Sequence, residues 1–247
     1  MKLIIQKPTG SIVDRIFTKF VAAAQITAVQ LKVKKKTKLH LNRKGPLASE
    51  DFTQKLEKIG ITPEQLWWGP MTLFPRKAEF LLNEIEKNKP KRVLEIGAGT
   101  STALLTALGQ KHNFSVFSIE NFDGTVDYIN SLLTGLPHTD NLTIQKCGFI
   151  SRKYPTGEKY RWYDADLTIA NCKFDFVLID GPVGSLVGRN GAIPQIFEFL
   201  EKECVIYVDD YNREHEKECV REWQKHYPNL TVEEPSDCEG IGRLKFK

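Results

Sequence analysis

The chain has 247 residues, is 41% hydrophobic and carries 35 Lys/Arg against 31 Asp/Glu, enough apolar content for one large core with an N-terminal extension. Five cysteines, an odd number with no C-x-x-C pair, suit the reduced thiols of a cytoplasmic protein better than a disulfide framework or a structural zinc site. The opening "MKLIIQKPTG" lacks a cleavage site, so no secretory signal is expected, and no segment reaches the roughly 18 apolar residues of a membrane span.

Charge is unevenly placed. Residues 1–60 hold thirteen Lys/Arg and four Asp/Glu, so the remainder is net acidic. The excess centres on "LKVKKKTKLHLNRK", Leu31 to Lys44, which follows a stretch where Ile12, Ile16, Phe20 and Ala23 stand three to four residues apart. Such a basic amphipathic helix suits an anionic membrane surface or an acidic partner, giving a membrane-associated protein; a solvated arm or a helix packed on the main domain is the other reading. Nucleic acid is not expected, because no aromatic residues interleave with the lysines.

Next in the chain, Ser49 is placed to cap a helix through about Ile59 that Gly60 ends, and Pro63 starts a short one. A helix is expected from about Pro75 to Lys87, stopped by Pro90. Strands and helices then alternate: strand 92–96, helix 101–110, strand 114–120, helix 123–134, strand 142–147, strand 174–180, helix 190–202 and strand 204–210. Two last strands, 229–234 and 241–246, flank the turn "PSDCEG" as a hairpin. The expectation is an α/β fold: a doubly wound, mostly parallel seven-stranded sheet with a C-terminal β-hairpin over residues 70–247, preceded by a basic helical extension over 1–69.

The stretch "RVLEIGAGTSTALLTAL" runs a strand into a glycine turn and a helix. The turn, G-x-G-x-x-T, lacks the third glycine of the dinucleotide fingerprint. Glu120 closes the second strand 23 residues after Gly97, where a carboxylate accepts hydrogen bonds from ribose hydroxyls and repels a 2′-phosphate. A pyrophosphate wants cations near the helix N-terminus. The turn instead has Glu95 beside it and no Lys or Arg from Val93 to Gln110, which suits a cofactor with a cationic centre and an amino acid tail.

On "LEIGAGTST", "SIEN", "FDFVLIDGP", "VIYVDD" and the hairpin, the chain resembles the class I S-adenosylmethionine-dependent methyltransferases, with a Rossmann-like fold. The resemblance implies that backbone at Gly97 and Gly99 approaches the methionine part of the cofactor, with Glu95 near its amino group. It further implies that Thr100, Ser101 and Thr102 line the loop, that Glu120 holds the ribose and that Asp180 borders the cofactor. Gly148 and Phe149 would lie near the adenine.

Three carboxylates end strands on the same edge: Asp180, Asp209 and Asp210. Clustered carboxylates without arginine partners need a cation, and the arrangement resembles the cation-dependent O-methyltransferases, which implies a Mg2+ or Mn2+ ion. The Asp180-Gly181-Pro182 loop, with Arg189 and a later Arg213, is similar to the polysaccharide 4-O-methyltransferases acting on glucuronic acid, where the loop reads Asp-Ala-Pro. Arg189 then clamps a uronate or serves as a structural salt-bridge donor, and His215 is either the general base or an exposed helix residue. With Asp180 they form the catalytic set the sequence suggests. The aromatic run "KYRWYDADL" stacks on a sugar or caps the core. Without N-P-P-Y or D-P-P-Y after the fourth strand, and without a Pro-Cys nucleophile, an oxygen acceptor on a saccharide or other small molecule leads. A nucleotide-binding oxidoreductase and a non-catalytic scaffold with a degenerate pocket are the alternatives.

Overall fold

The computed structural model describes residues 1–37, 49–66, 68, 72–136, 139–154, 156–182 and 187–247. The basic run beyond residue 37 lies outside the described residues. The chain begins with strand β1 (Lys2–Ile5) and a long helix α1 (Ile12–Thr37). Helix α2 (Glu50–Lys58) starts where the sequence places its cap: the Ser49 hydroxyl accepts from the Phe52 N–H, and Gly60 beyond the last turn has φ +78°. Helix α3 (Pro75–Asn88) opens with proline at its first position and closes at Lys89 in the left-handed region.

The alternating part follows: β2 (Arg92–Ile96), α4 (Thr100–His112), β3 (Ser115–Glu120), α5 (Asp123–Leu133), β4 (Leu142–Lys146), β5 (Phe149–Lys153), β6 (Lys159–Tyr163), β7 (Phe174–Ile179), α6 (Ala192–Ile196), β8 (Leu200–Asp209), α7 (Glu214–His226), β9 (Leu230–Glu233) and β10 (Ile241–Phe246). The main sheet runs β1-β4-β3-β2-β7-β8-β10-β9. Its pairs are parallel from β1 to β8, while β10 is antiparallel to both β8 and β9.

Strand order reverses at β2, whose neighbours are β3 on one side and β7 on the other, so a crevice opens beyond the carboxyl ends of these three strands. Alternate residues of the parallel strands feed two cores. Val93, Phe176 and Leu178 pack against α2, α3 and α4 residues such as Leu56, Leu81 and Leu104. Leu94, Val177 and Ile179 pack with Trp162, Ile193 and Trp223 on the other face.

Two expectations are corrected. The sheet has eight strands, the extra one being β1, whose partner β4 lies some 140 residues away in sequence. Thus β1 joins the sheet, and α2 places fully buried Phe52 and Leu56 in the first core. The helix expected over 190–202 is confined to Ala192–Ile196 and a short 3-10 turn, because Leu200 already pairs with Phe174 and extends β8. The aromatic run belongs to an antiparallel hairpin, β5 with β6, closed by a turn in which Gly157 has φ +93°. All five cysteines are free, and four of them are buried.

Candidate active site

The crevice at the strand reversal holds a cavity of about 310 Å3, lined by the turn Gly97 to Ser101, by Glu120 to Phe122, by Tyr128 of α5, and by Tyr163, Asp180 and Gly181. Gly97 turns the chain with φ +91°, a conformation that favours glycine, and it lies against Gly181: a side chain on Gly97 would come within 2.6 Å of the Gly181 nitrogen. Gly99 differs. A side chain there would meet nothing within 4 Å, so this glycine leaves open space at the cavity wall.

Glu120 ends β3 with its carboxylate accepting from the N–H groups of Asn121 at 2.7 Å and Phe122 at 2.8 Å, and also from the Ala98 N–H. Burial nevertheless pushes its pKa up to about 7, those three donors opposing the shift and Glu95 adding to it. A carboxylate so placed gains from further donors, which ribose hydroxyls supply. The open space at Gly99, the donor-seeking Glu120 and the apolar walls fit a nucleoside whose side chain carries no phosphate, as S-adenosylmethionine offers.

Gly97, Gly99, Thr100, Ser101, Glu120 and Asp180 all line this cavity. Glu95 and Thr102 do not. Glu95 is wholly buried, and its carboxylate accepts from Thr102 Oγ1 at 2.6 Å and Ser118 Oγ at 2.5 Å. Thr102 Oγ1 in turn accepts from the Gly99 N–H at 2.9 Å. These two residues shape the turn from beneath, because residue 95 points away from the cavity. Burial raises the Glu95 pKa, with the hydroxyls of Ser101, Ser118 and Thr102 opposing. Gly148 and Phe149 line an adjoining cavity beside α1, which shares Asn121 with the first.

Asp180, Asp209 and Asp210 converge with carboxylate oxygens within 4.8 Å. They are not without basic partners, which corrects the premise on which a cation was expected. Lys77 of α3 reaches Asp209 at 2.5 Å and Asp210 at 3.7 Å. Arg189 is 4% exposed and pairs with Asp180 at 3.4 Å and Asp210 at 3.6 Å, while Arg213 holds Asp210 at 2.8 Å. Three carboxylates thus meet three cations, and of the three only Asp180 lines the cavity. The charge deficit that would draw in Mg2+ or Mn2+ is already met by the protein, so this donor set as arranged does not fit a resident divalent ion.

Arg189 also donates to the main-chain carbonyls of Ile179, Asp180 and Asp209, tying together the ends of β7 and β8. Its guanidinium is committed to those strand ends. Asp210 holds φ +58°, a left-handed geometry that aspartate tolerates and that turns the chain under Arg189. Burial and then the neighbouring Asp209 push the Asp180 carboxyl well above the usual carboxylate range, with Arg189 opposing.

His215 lies elsewhere. It is exposed on the first turn of α7 and lines a separate cleft with Tyr154, Tyr160 and Asn190. Sequence reasoning missed Lys77, which "PRKAEF" marks only as one more helix lysine, and did not choose a place for Tyr163, which the aromatic run contained.

The sequence matches no family model and no curated protein. Solved structures match the fold. An S-adenosylhomocysteine-bound methyltransferase of Podospora anserina is 13% identical and superposes with TM-score 0.51 over 90% of this chain and 95% of its own. An O-methyltransferase of Bacillus cereus in complex with S-adenosylhomocysteine is 16% identical with TM-score 0.51, covering 81% and 92%. A precorrin-6y C5,15-methyltransferase of Geobacter metallireducens is 16% identical with TM-score 0.53, covering 77% and 96%. With its strand reversal at β2, its glycine turn and its antiparallel β10, the chain has the fold of the class I S-adenosylmethionine-dependent methyltransferases.

Proposed function

We propose that the protein is an S-adenosylmethionine-dependent O-methyltransferase acting on a hydroxyl of a saccharide or other small molecule. One observation carries this reading: a single cavity has Glu120 at the end of β3 and Asp180 at the end of β7, two strand spacings or roughly 10 Å apart, with the Gly97 turn between them. The first carboxylate suits a ribose. The second suits an acceptor.

Bound S-adenosylmethionine supplies a methyl group on a cationic sulfur, whose in-line transfer to oxygen leaves a neutral thioether and one proton to be removed. Asp180 is placed to take that proton from the acceptor hydroxyl, since its raised proton affinity brings it closer to that of the group it must deprotonate. Arg189, Lys77 and Arg213 hold Asp209 and Asp210 behind it and limit the repulsion that Asp180 feels. Tyr163, Phe122 and Tyr128 supply aromatic wall around the cavity.

Oxygen as the acceptor atom agrees with the Bacillus cereus neighbour, although the precorrin methyltransferase shows that this fold also serves carbon. A saccharide agrees with the likeness of the Asp180-Gly181-Pro182 loop to the polysaccharide enzymes. The test pairs calorimetry of S-adenosylhomocysteine with a screen of labelled methyl transfer to uronic acids, glycans and catechol-like acceptors. Binding of a nicotinamide cofactor in place of S-adenosylhomocysteine points to an oxidoreductase; binding of neither points to a scaffold.

A further inference from the structure

Helix α1 is apolar on two sides. Its inner side is fixed: Val21 is buried, the Phe17 ring meets Phe149 edge-on at 6.4 Å, and the Phe149 N–H donates to Thr18 Oγ1 at 2.9 Å. Asp14, the one acidic residue of the helix, is buried and accepts from the Ser151 hydroxyl at 2.8 Å and the Ser11 hydroxyl at 2.8 Å. These contacts set how the helix is rolled on the β5–β6 hairpin.

The opposite side faces solvent. Ile12, Val13, Ile16 and Phe20 are 68%, 63%, 63% and 58% exposed, and at 100° per residue they fall within one sector of about 100°. Exposed Arg15 and Lys19 border that sector, and the helix runs on to Thr37 through "LKVKKKT". From Arg15 to Ser49 the sequence has nine Lys/Arg and no Asp or Glu. Ile5 of the edge strand, 68% exposed, shares the neighbouring cavity with Arg15, Lys19 and Lys146.

An apolar stripe bordered along one side by cations and followed in sequence by a lysine run is the pattern that seats a helix in the plane of a bilayer interface. We infer that α1 docks the protein on an anionic phospholipid membrane through Ile12, Val13, Ile16 and Phe20, with Arg15 and Lys19 against lipid headgroups. A second copy is the weaker occupant, since self-association through this face brings Arg15 and Lys19 of two copies together. No helix among the described residues is long and apolar enough to cross a membrane, so the contact is a surface one.

The experiment is co-sedimentation of the full chain with vesicles of phosphatidylcholine alone and with about 30% phosphatidylserine added. The parent binds the anionic vesicles, releases them in high salt, and binds neutral vesicles weakly. The variant I16E/F20E, altered only at exposed positions, binds the anionic vesicles at least about tenfold less while keeping the parent's thermal unfolding midpoint. As a control for the equal change of net charge, K111E on helix α4 leaves vesicle binding unchanged. Equal binding by parent and I16E/F20E, or no binding by the parent, overturns the inference. So does a concentration-dependent dimer, seen by sedimentation velocity, that I16E/F20E dissolves while vesicle binding persists.

Discussion

Gly97 and Gly181 touch backbone to backbone across the ends of β2 and β7. A side chain at Gly181 would stand 2.6 Å from the Gly97 Cα and 2.8 Å from the Tyr163 hydroxyl, and one at Gly97 would stand 2.6 Å from the Gly181 nitrogen. The contact explains why residue 181 of this chain is glycine. It also sets the shape of the cavity, because each loop rests on the other. Gly181→Ala is expected to cost roughly 1–3 kcal/mol of stability by overpacking and to weaken S-adenosylhomocysteine binding by about tenfold or more. Thermal melts and calorimetry check this; an alanine variant with parental affinity removes the contact from the description of the site.

Cofactor binding is expected to depend on Glu120. Its pKa of about 7 in the unliganded protein means that the carboxylate is largely protonated at pH 6, whereas ribose hydroxyls donate best to the ionised form. Affinity for S-adenosylhomocysteine therefore rises with pH through 7 and levels off above 8, by roughly tenfold from pH 6 to the plateau. Between the ordinary glutamate value of 4.5 and about 7 the native state binds more protons than the unfolded one, so this group's contribution to stability falls as pH rises through that window. Glu120→Gln removes both trends. Calorimetry and thermal melts from pH 5.5 to 8.5 give the readout.

Asp180→Asn is expected to lower kcat steeply, by about a hundredfold or more, with little change in S-adenosylhomocysteine affinity, since it removes the proton acceptor and leaves the glycine turn intact. An asparagine variant with parental turnover assigns proton removal to another group.

Lys77, Arg189 and Arg213 already balance the three carboxylates, so excess chelator is expected to leave the parent protein active. Lys77→Met strips its cation from Asp209, while Asp210 keeps Arg189 and Arg213, at a cost of about 3–5 kcal/mol, the penalty for breaking a buried pair, and is expected to make the remaining activity responsive to added Mg2+. Parent activity that collapses in chelator and returns with Mg2+ or Mn2+ restores a resident metal.

His215→Ala is expected to keep kcat/KM within about twofold, because the imidazole lies exposed in a different cleft. A large loss would mean that the two clefts communicate through Gly188, on which the ring rests.

Local chemistry was legible in the sequence. Ser49 caps α2 and Gly60 ends it, Gly97 turns β2 into α4, and Glu120 closes β3, because a cap, a positive φ or a strand end depends on a few neighbouring residues. The tertiary structure decided what depends on facing. It paired β1 with β4, put Glu95 and Thr102 beneath the turn and Ser101 in the cavity wall, and set Ile12, Ile16 and Phe20 outward. It also carried Lys77 to Asp209, 132 residues along the chain, and turned Arg189 inward onto the ends of β7 and β8. Spacing along a sequence records which residues share a face of one element. Which face meets which partner is settled only when distant elements pack, and the charge balance of the three carboxylates is a property of that packing.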